Sequence, residues 1–218
     1  MPSLQSVFST PMATAEIADA SALNAALREF FLQCEQQGAR FQNPDRTTHR
    51  NGALFESNFG LFDWNHPAVN RLRDFCWAQL YQLIGELNGY DVATLRRLQM
   101  ASESWFHITR SSGYFGVHNH PLHSWSGVYC VCQEGDDPES DSGKLTFLNP
   151  NSTMFIDMSL ANLSDAFQLS HLSVRLKPGQ LVLFPSWMQH YVSPFQPADE
   201  GVRITVAFNA RFRMDSAE

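Results

Sequence analysis

The chain has 218 residues and a mass of 24.7 kDa, the size of one large domain with elaborations and enough material for a sizeable core. Fifteen Lys and Arg against 22 Asp and Glu leave a formal charge of −7 and a pI near 5.6, which argues against a phosphate backbone or an anionic membrane surface as partner. Charged residues make up 17% of the chain and aromatic residues 12%, against an average charged share of ~25%, so the composition is that of a strand-rich, well-buried fold. The first predicted element is a helix over residues 21–38, where Leu23, Ala26, Leu27, Phe30, Phe31 and Cys34 fall on one stripe. Ser21 is placed to cap its start and Gly38 its end. Residues 39–65 form a connector rich in Asn, Gly, Asp and Arg without convincing periodicity. A second helix spans 66–89, with Val69, Leu72, Cys76, Leu80, Leu83 and Ile84 on its apolar side, Asn65 as N-cap and Asn88-Gly89 as stop.

From about Leu98 the pattern changes to short apolar runs between turn residues, which reads as strands over 99–109, 114–120, 126–132, 144–148, 172–176, 180–184, 189–192 and 202–210. Eight short strands predict a mainly β architecture, a barrel or jelly roll with flanking helices. We expect a single domain, with helical support segments over 1–97 and the β core over 98–212. The acidic stretch 133–143 reads as a solvated loop bordering a site.

Four cysteines, Cys34, Cys76, Cys130 and Cys132, have neither zinc-knuckle nor C-x-x-C spacing, which points to a reducing compartment. The sequence MPSLQSVFSTPMATAEI lacks the regions of a signal peptide, and no run approaches the ~20 apolar residues of a membrane span. The expectation is a cytoplasmic protein with no membrane or nucleic-acid partner.

Of eight histidines, four lie between positions 107 and 123: His107, His118, His120 and His123. On a strand over 114–120, His118 and His120 would leave the same face, a two-imidazole clamp for a first-row metal. An H-x-H pair is also compatible with two surface histidines, or with one core and one exposed ring. His190, after the corner at Pro185, is the candidate third ligand. The strand over 202–210 carries Arg203 and Thr205 on one face and reads as an antiparallel neighbour of 189–192. A buried arginine requires an anion, and a small-molecule carboxylate suits its planar fork.

The order H-x-H, S-G-V-Y, P-G-Q-L-V-L-F-P-S-W-x-x-H and R-I-T-V-A-F-N, from about Trp105 to Asn209, resembles the 2-oxoglutarate- and Fe(II)-dependent oxygenases, most nearly the bacterial and phage branch related to prolyl 4-hydroxylases. The resemblance implies a double-stranded β-helix with N-terminal helical support. It makes His118 and His190 ligands of Fe(II), Arg203 the anchor for the distal carboxylate of 2-oxoglutarate, and Thr205 its hydrogen-bonding neighbour. His120 stands where the family pattern has a carboxylate. Three arrangements follow: a three-histidine centre of His118, His120 and His190, which we favour; a site of His118 and His190 alone; or a shifted register in which His120 and His123 carry more weight. His107 and Ser126 are candidate contacts to the co-substrate, and Asn209 shares the face of Arg203. The implied reaction uses Fe(II), 2-oxoglutarate and O2, converts 2-oxoglutarate to succinate and hydroxylates a small-molecule or peptidyl substrate, in a monomer or homodimer. Competing readings are a cupin-type three-histidine dioxygenase that does not use 2-oxoglutarate, and a non-catalytic metal- or ligand-sensing β-barrel. Trp125 and Trp187 flank the ligand segments as core packing or substrate wall. Cys130 and Cys132 read as small buried hydrophobes, and His49, His66 and His171 as surface residues.

Overall fold

The computed structural model describes residues 9–45, 48–51, 53–135, 137–151 and 170–215. In chain order it contains β1 (Ala13–Glu16), α1 (Ala20–Gln36), β2 (Leu54–Glu56), α2 (Pro67–Asn88), α3 (Val92–Leu95), β3 (Leu98–Thr109), β4 (Phe115–His118), β5 (Trp125–Gln133), β6 (Leu145–Leu148), β7 (His171–Val174), β8 (Gln180–Pro185), β9 (His190–Val192) and β10 (Arg203–Met214). The strands form a six-stranded sheet, β1-β8-β5-β10-β3-β2, and a four-stranded sheet, β4-β9-β6-β7, antiparallel throughout. This is the double-stranded β-helix, or jelly roll, with helices on one side. No described helix is long and apolar enough to cross a membrane.

Both long helices form because their apolar stripes have a sheet to cover. Leu23, Leu27 and Phe31 of α1 and Val69, Leu72 and Leu80 of α2 are all buried in one cluster with Phe106, Ile108, Ile204 and Val206 of the larger sheet. Phe31 stacks on Phe106 with ring centroids 4.1 Å apart. A second cluster joins the two sheets from inside, with Phe115, Phe147, Val182, Phe184 and Val192.

Several expectations from the sequence need correction. The N-cap of α1 is Asp19, in the left-handed region at φ 52 with no side-chain cap bond, so Ser21 lies inside the helix. Helix α2 starts with Pro67 in its first turn, where the missing N–H costs nothing, and His66 rather than Asn65 precedes it; Gly89, at φ 63, stops it as expected. The segment 1–97 is not helical support alone, because β1 pairs with β8 and β2 with β3, covering both edges of the larger sheet. Strand β4 ends at His118, two residues short of the predicted strand. Strands β9 and β10 are not neighbours: β9 lies in the smaller sheet, β10 between β3 and β5 in the larger one. Their connection carries the chain from one sheet to the other and is tied down where Phe195 N–H donates to Gly113 O and accepts, through its carbonyl, from Ser112 N–H. The two segments therefore face each other across the interior, which opens the space between the sheets.

Candidate metal and co-substrate site

That space is a cavity of about 400 Å3 lined by residues from both sheets. On the smaller sheet, His118 at the end of β4 is the cross-strand partner of His190 at the start of β9, which puts their ring centroids 4.3 Å apart. His120 has left the strand, and its ring is brought in by the loop, whose His120 N–H donates to Ser186 O at 2.8 Å. Ligand atoms of the three rings lie within 4.8 Å of one another.

Two of the rings have their tautomers set by carbonyls. His118 Nδ1 is 2.8 Å from Gly116 O and His190 Nδ1 is 2.9 Å from Met188 O. A carbonyl only accepts, so each Nδ1 carries the proton and each Nε2 presents a lone pair. The His120 ring has no hydrogen-bond partner among the described residues and is free to turn toward the other two. Burial, reinforced by the neighbouring imidazoles, pushes His190 and His120 down to about 3, and burial also lowers His118. All three are thus neutral at physiological pH. Three uncharged imidazoles whose ligand atoms lie this close together suit a first-row divalent ion such as Fe(II).

Also lining the cavity, Arg203 is 2% exposed, and among the described residues its Nε has no hydrogen-bond partner. Its ladder partner on β3 is Thr109, whose buried hydroxyl is also unpartnered. Gly143, at φ 62, lies against this arginine, and a Cβ there would come 3.0 Å from Arg203 Cδ. The acidic loop thus borders the site through its last glycine. Burial lowers the pKa of Arg203, the signature of a cation that lacks its anion. A donor fork beside a hydroxyl in a dry pocket is built to receive a carboxylate.

Between these two places lies a group the sequence did not reveal. Glu56 on β2 is buried, with Oε1 2.8 Å from Arg50 Nη1 and accepting from Asn43 Nδ2 at 2.8 Å. Burial opposes its ionisation, yet His107, Asn43 and Arg50 together hold its carboxyl down at about 2. His107 Nε2 is 3.0 Å from Glu56 Oε2 and 2.9 Å from Trp105 Nε1. The indole N–H only donates and the carboxylate only accepts, so one lone nitrogen serves one of them at a time. Burial lowers the pKa of His107 despite the carboxylate.

The profile of the family described as Putative 2OG-Fe(II) oxygenase matches residues 103–209, a span that contains every histidine of the cluster, Arg203 and Thr109. This chain belongs to the 2OG-Fe(II) oxygenases. The oxygenase fold is shared with a prolyl-4-hydroxylase of Pseudomonas putida, at a TM-score of 0.61 and 16% identity over 94% of each chain. It is shared too with HygX of Streptomyces hygroscopicus, solved with nickel, 2-oxoglutarate and hygromycin B bound, at a TM-score of 0.53 and 12% identity over 93% of this chain and 83% of that one. Among characterised proteins, the L-ectoine synthase of Halomonas elongata is 28% identical over 123 residues, 56% of this chain and 88% of that protein. The chain is accordingly an enzyme of a class that takes Fe(II) and 2-oxoglutarate.

Of the site residues expected from sequence, His107, His118, His120, Ser126, His190, Arg203 and Thr205 all line this cavity of the oxygenase. Ser126 Oγ donates to Asn209 Oδ1 at 2.7 Å and lies 2.9 Å from Ser186 Oγ. Tyr129, of opposite parity, turns outward and donates to Asn24 Oδ1 at 2.7 Å. Trp125 packs on the helix-side core, whereas Trp187 is half exposed and lines no part of the cavity. Cys130 is buried and Cys132 partly so. His49 and His171 are exposed as expected, but His66 is half-buried and stacks on Phe30 at 3.9 Å. Sequence reasoning missed Thr109, Arg50 and Glu56. The one available signal for Glu56 was a lone carboxylate closing the apolar run Ala53-Leu54-Phe55.

Proposed function

We propose that the enzyme holds one Fe(II) on His118, His120 and His190, takes the distal carboxylate of 2-oxoglutarate on Arg203, and hydroxylates a small-molecule or peptidyl substrate. The reading rests on one observation: three neutral imidazoles and an unpartnered buried guanidinium open onto the same cavity. When bound, iron with O2 and 2-oxoglutarate supplies the oxidation of a C–H bond, coupled to decarboxylation of the co-substrate to succinate. The chain does the rest. The carbonyls of Gly116 and Met188 keep the Nε2 lone pairs of His118 and His190 directed inward. Arg203, with the hydroxyls of Thr109 and Thr205, orients the co-substrate. His107, held through Nε2 by Trp105 or by Glu56, and Ser126, fixed by Asn209, line its walls, while the apolar side chains between the sheets exclude water. With a neutral ring of His120 in place of a carboxylate, the metal centre is one unit more positive.

The test is difference spectroscopy of the protein with Fe(II) and 2-oxoglutarate under anaerobic conditions. A visible charge-transfer band is expected in the wild type. Arg203→Met should raise the 2-oxoglutarate concentration that half-saturates the band by ~100-fold, the scale of losing one partner of a buried charge pair. Iron binding with no such band would overturn this reading in favour of the cupin-type or sensing barrel. His120→Ala should weaken iron binding at least ~10-fold; unchanged affinity would reduce the ligand set to His118 and His190.

A further inference from the structure

The charged side chains that line the cavity can be accounted for one at a time. Arg203 awaits an anion. Glu56 is neutralised by Arg50. Glu103, on β3, is left over. Its nearest basic group is His123 Nε2 at 3.7 Å from Oε2, beyond hydrogen-bond range, and an imidazole is ordinarily uncharged at neutral pH. Arg211, the next residue of that face on β10, is exposed and makes no ion pair with Glu103 among the described residues.

Besides His123 and its polar partner Asn209 on β10, Glu103 has aromatic neighbours along its own strand. Trp105 lies two residues on, on the same face of β3, and Phe59 packs against it with centroids 4.7 Å apart. Pro121 and the 78%-exposed Leu122 also line the cavity. A half-exposed carboxylate beside aromatic faces attracts alkylammonium and guanidinium groups through charge and ring quadrupole together. Position along the strands matters equally. Glu103 pairs with Asn209 midway along the ladder that begins with the pair Thr109 and Arg203, ~20 Å from that pair at the strand rise. The Trp105 ring, next to Glu103, lies 6.1 Å from that of His120. A cation at Glu103 therefore leaves the anion site free and lays the attached carbon chain over Trp105 toward the three histidines.

We propose that Glu103 recognises a cationic group on the substrate, so that the enzyme oxidises a carbon a few atoms from an amine or guanidine, in a free basic molecule or on a basic side chain of a peptide. The proposal rests on the oxygenase reading and names its substrate class. It is tested by calorimetric titration of the anaerobic complex with Fe(II) and 2-oxoglutarate at pH 8, using benzylammonium, benzyl alcohol and benzoate as probes. Benzyltrimethylammonium, which has no lone pair for a metal, controls for coordination. Benzylammonium and its quaternary analogue should bind about five-fold more tightly than benzyl alcohol, and benzoate more weakly. Glu103→Gln should erase that preference without weakening benzyl alcohol. Equal affinities for the charged and neutral probes, weak binding of all included, or a preference that survives Glu103→Gln, would overturn the proposal. A second arm compares the peptide Gly-Lys-Gly with its ε-acetylated form: discrimination between them assigns a peptidyl source, and its absence alongside cation preference assigns a free small molecule. Loss of the charge-transfer band would strike the oxygenase reading alone, because the same titration on the metal-free protein still reports whether Glu103 selects cations.

Discussion

On the helix side of β3, β5 and β10, Phe106, Ile108, Tyr129, Ile204, Val206 and Phe208 meet α1 and α2 in a fully buried layer. One residue away along the same strands, the opposite side presents Glu103, His107, Ser126, Arg203, Thr205 and Asn209 to the cavity. Backbone, register and neighbours are common to both sides; only the parity differs. The helix side is close-packed, and its buried side-chain polar atoms without a partner, among the described residues, are His66 Nδ1 and Trp77 Nε1. The cavity side keeps a guanidinium and a hydroxyl without partners, groups whose desolvation is a standing cost. Strain of this kind persists because the apolar side over-determines the strands, and it marks where a ligand belongs.

Three measurements bear on this contrast. The largest effect is expected on the helix side: Phe106→Ala should destabilise the protein by ~3–5 kcal/mol, lowering Tm by ~6–20 °C for a chain of this length. A loss below 1 kcal/mol in a thermal or denaturant melt would mean the helix side does not carry the fold. The cavity side should respond with the opposite sign. Arg203→Met removes an unpaired buried charge and should raise Tm of the ligand-free protein by a few degrees, corresponding to ~1–2 kcal/mol, although it cripples 2-oxoglutarate binding. A lowered Tm in the absence of ligand would show that Arg203 has a structural partner.

The smallest effect separates the sides by pH. His118, His120 and His190 have lowered pKa values in the folded protein, two of them down to about 3, against ~6.5 when unfolded. Below ~6.5 the unfolded chain binds protons that the native protein refuses, so the stability these rings contribute is complete above that pH and is lost progressively toward 3. The metal-free protein should therefore lose a few degrees of Tm between pH 7 and 5.5. His120→Ala should flatten the slope, and Phe106→Ala should leave it unchanged. Equal slopes in wild type and His120→Ala would remove His120 from the buried set.

What the sequence revealed differs between the two sides for the same reason. The apolar stripes of α1 and α2 are periodic over five or six turns, and the strands from Leu98 onward are recognisable as short runs, because burial against a continuous surface imposes a repeat. His118, His190 and Arg203 were recognisable because a histidine or arginine in an apolar run is chemically anomalous wherever it sits. Strands β1 and β2 were not, since four and three residues are too few for a period. They are strands only because β8 and β3 offer them unpaired edges. His120 was placed on a strand by its spacing, yet β4 stops at His118 and a loop hydrogen bond to Ser186 sets the ring.

The order of motifs by itself therefore determined the fold class, the family and part of the cavity lining, His118, His120, His190 and Arg203 included, because alternation and chemical anomaly are written locally along the chain. Only the tertiary structure decided that β9 and β10 face each other across two sheets, that Thr109 stands unpartnered beside Arg203, that Arg50 neutralises Glu56, and that Glu103 is the charge left over. Those relations join residues 6 to 94 positions apart, and nothing local encodes which buried group ends without a partner. That is settled only when the sheets close and water is excluded from between them.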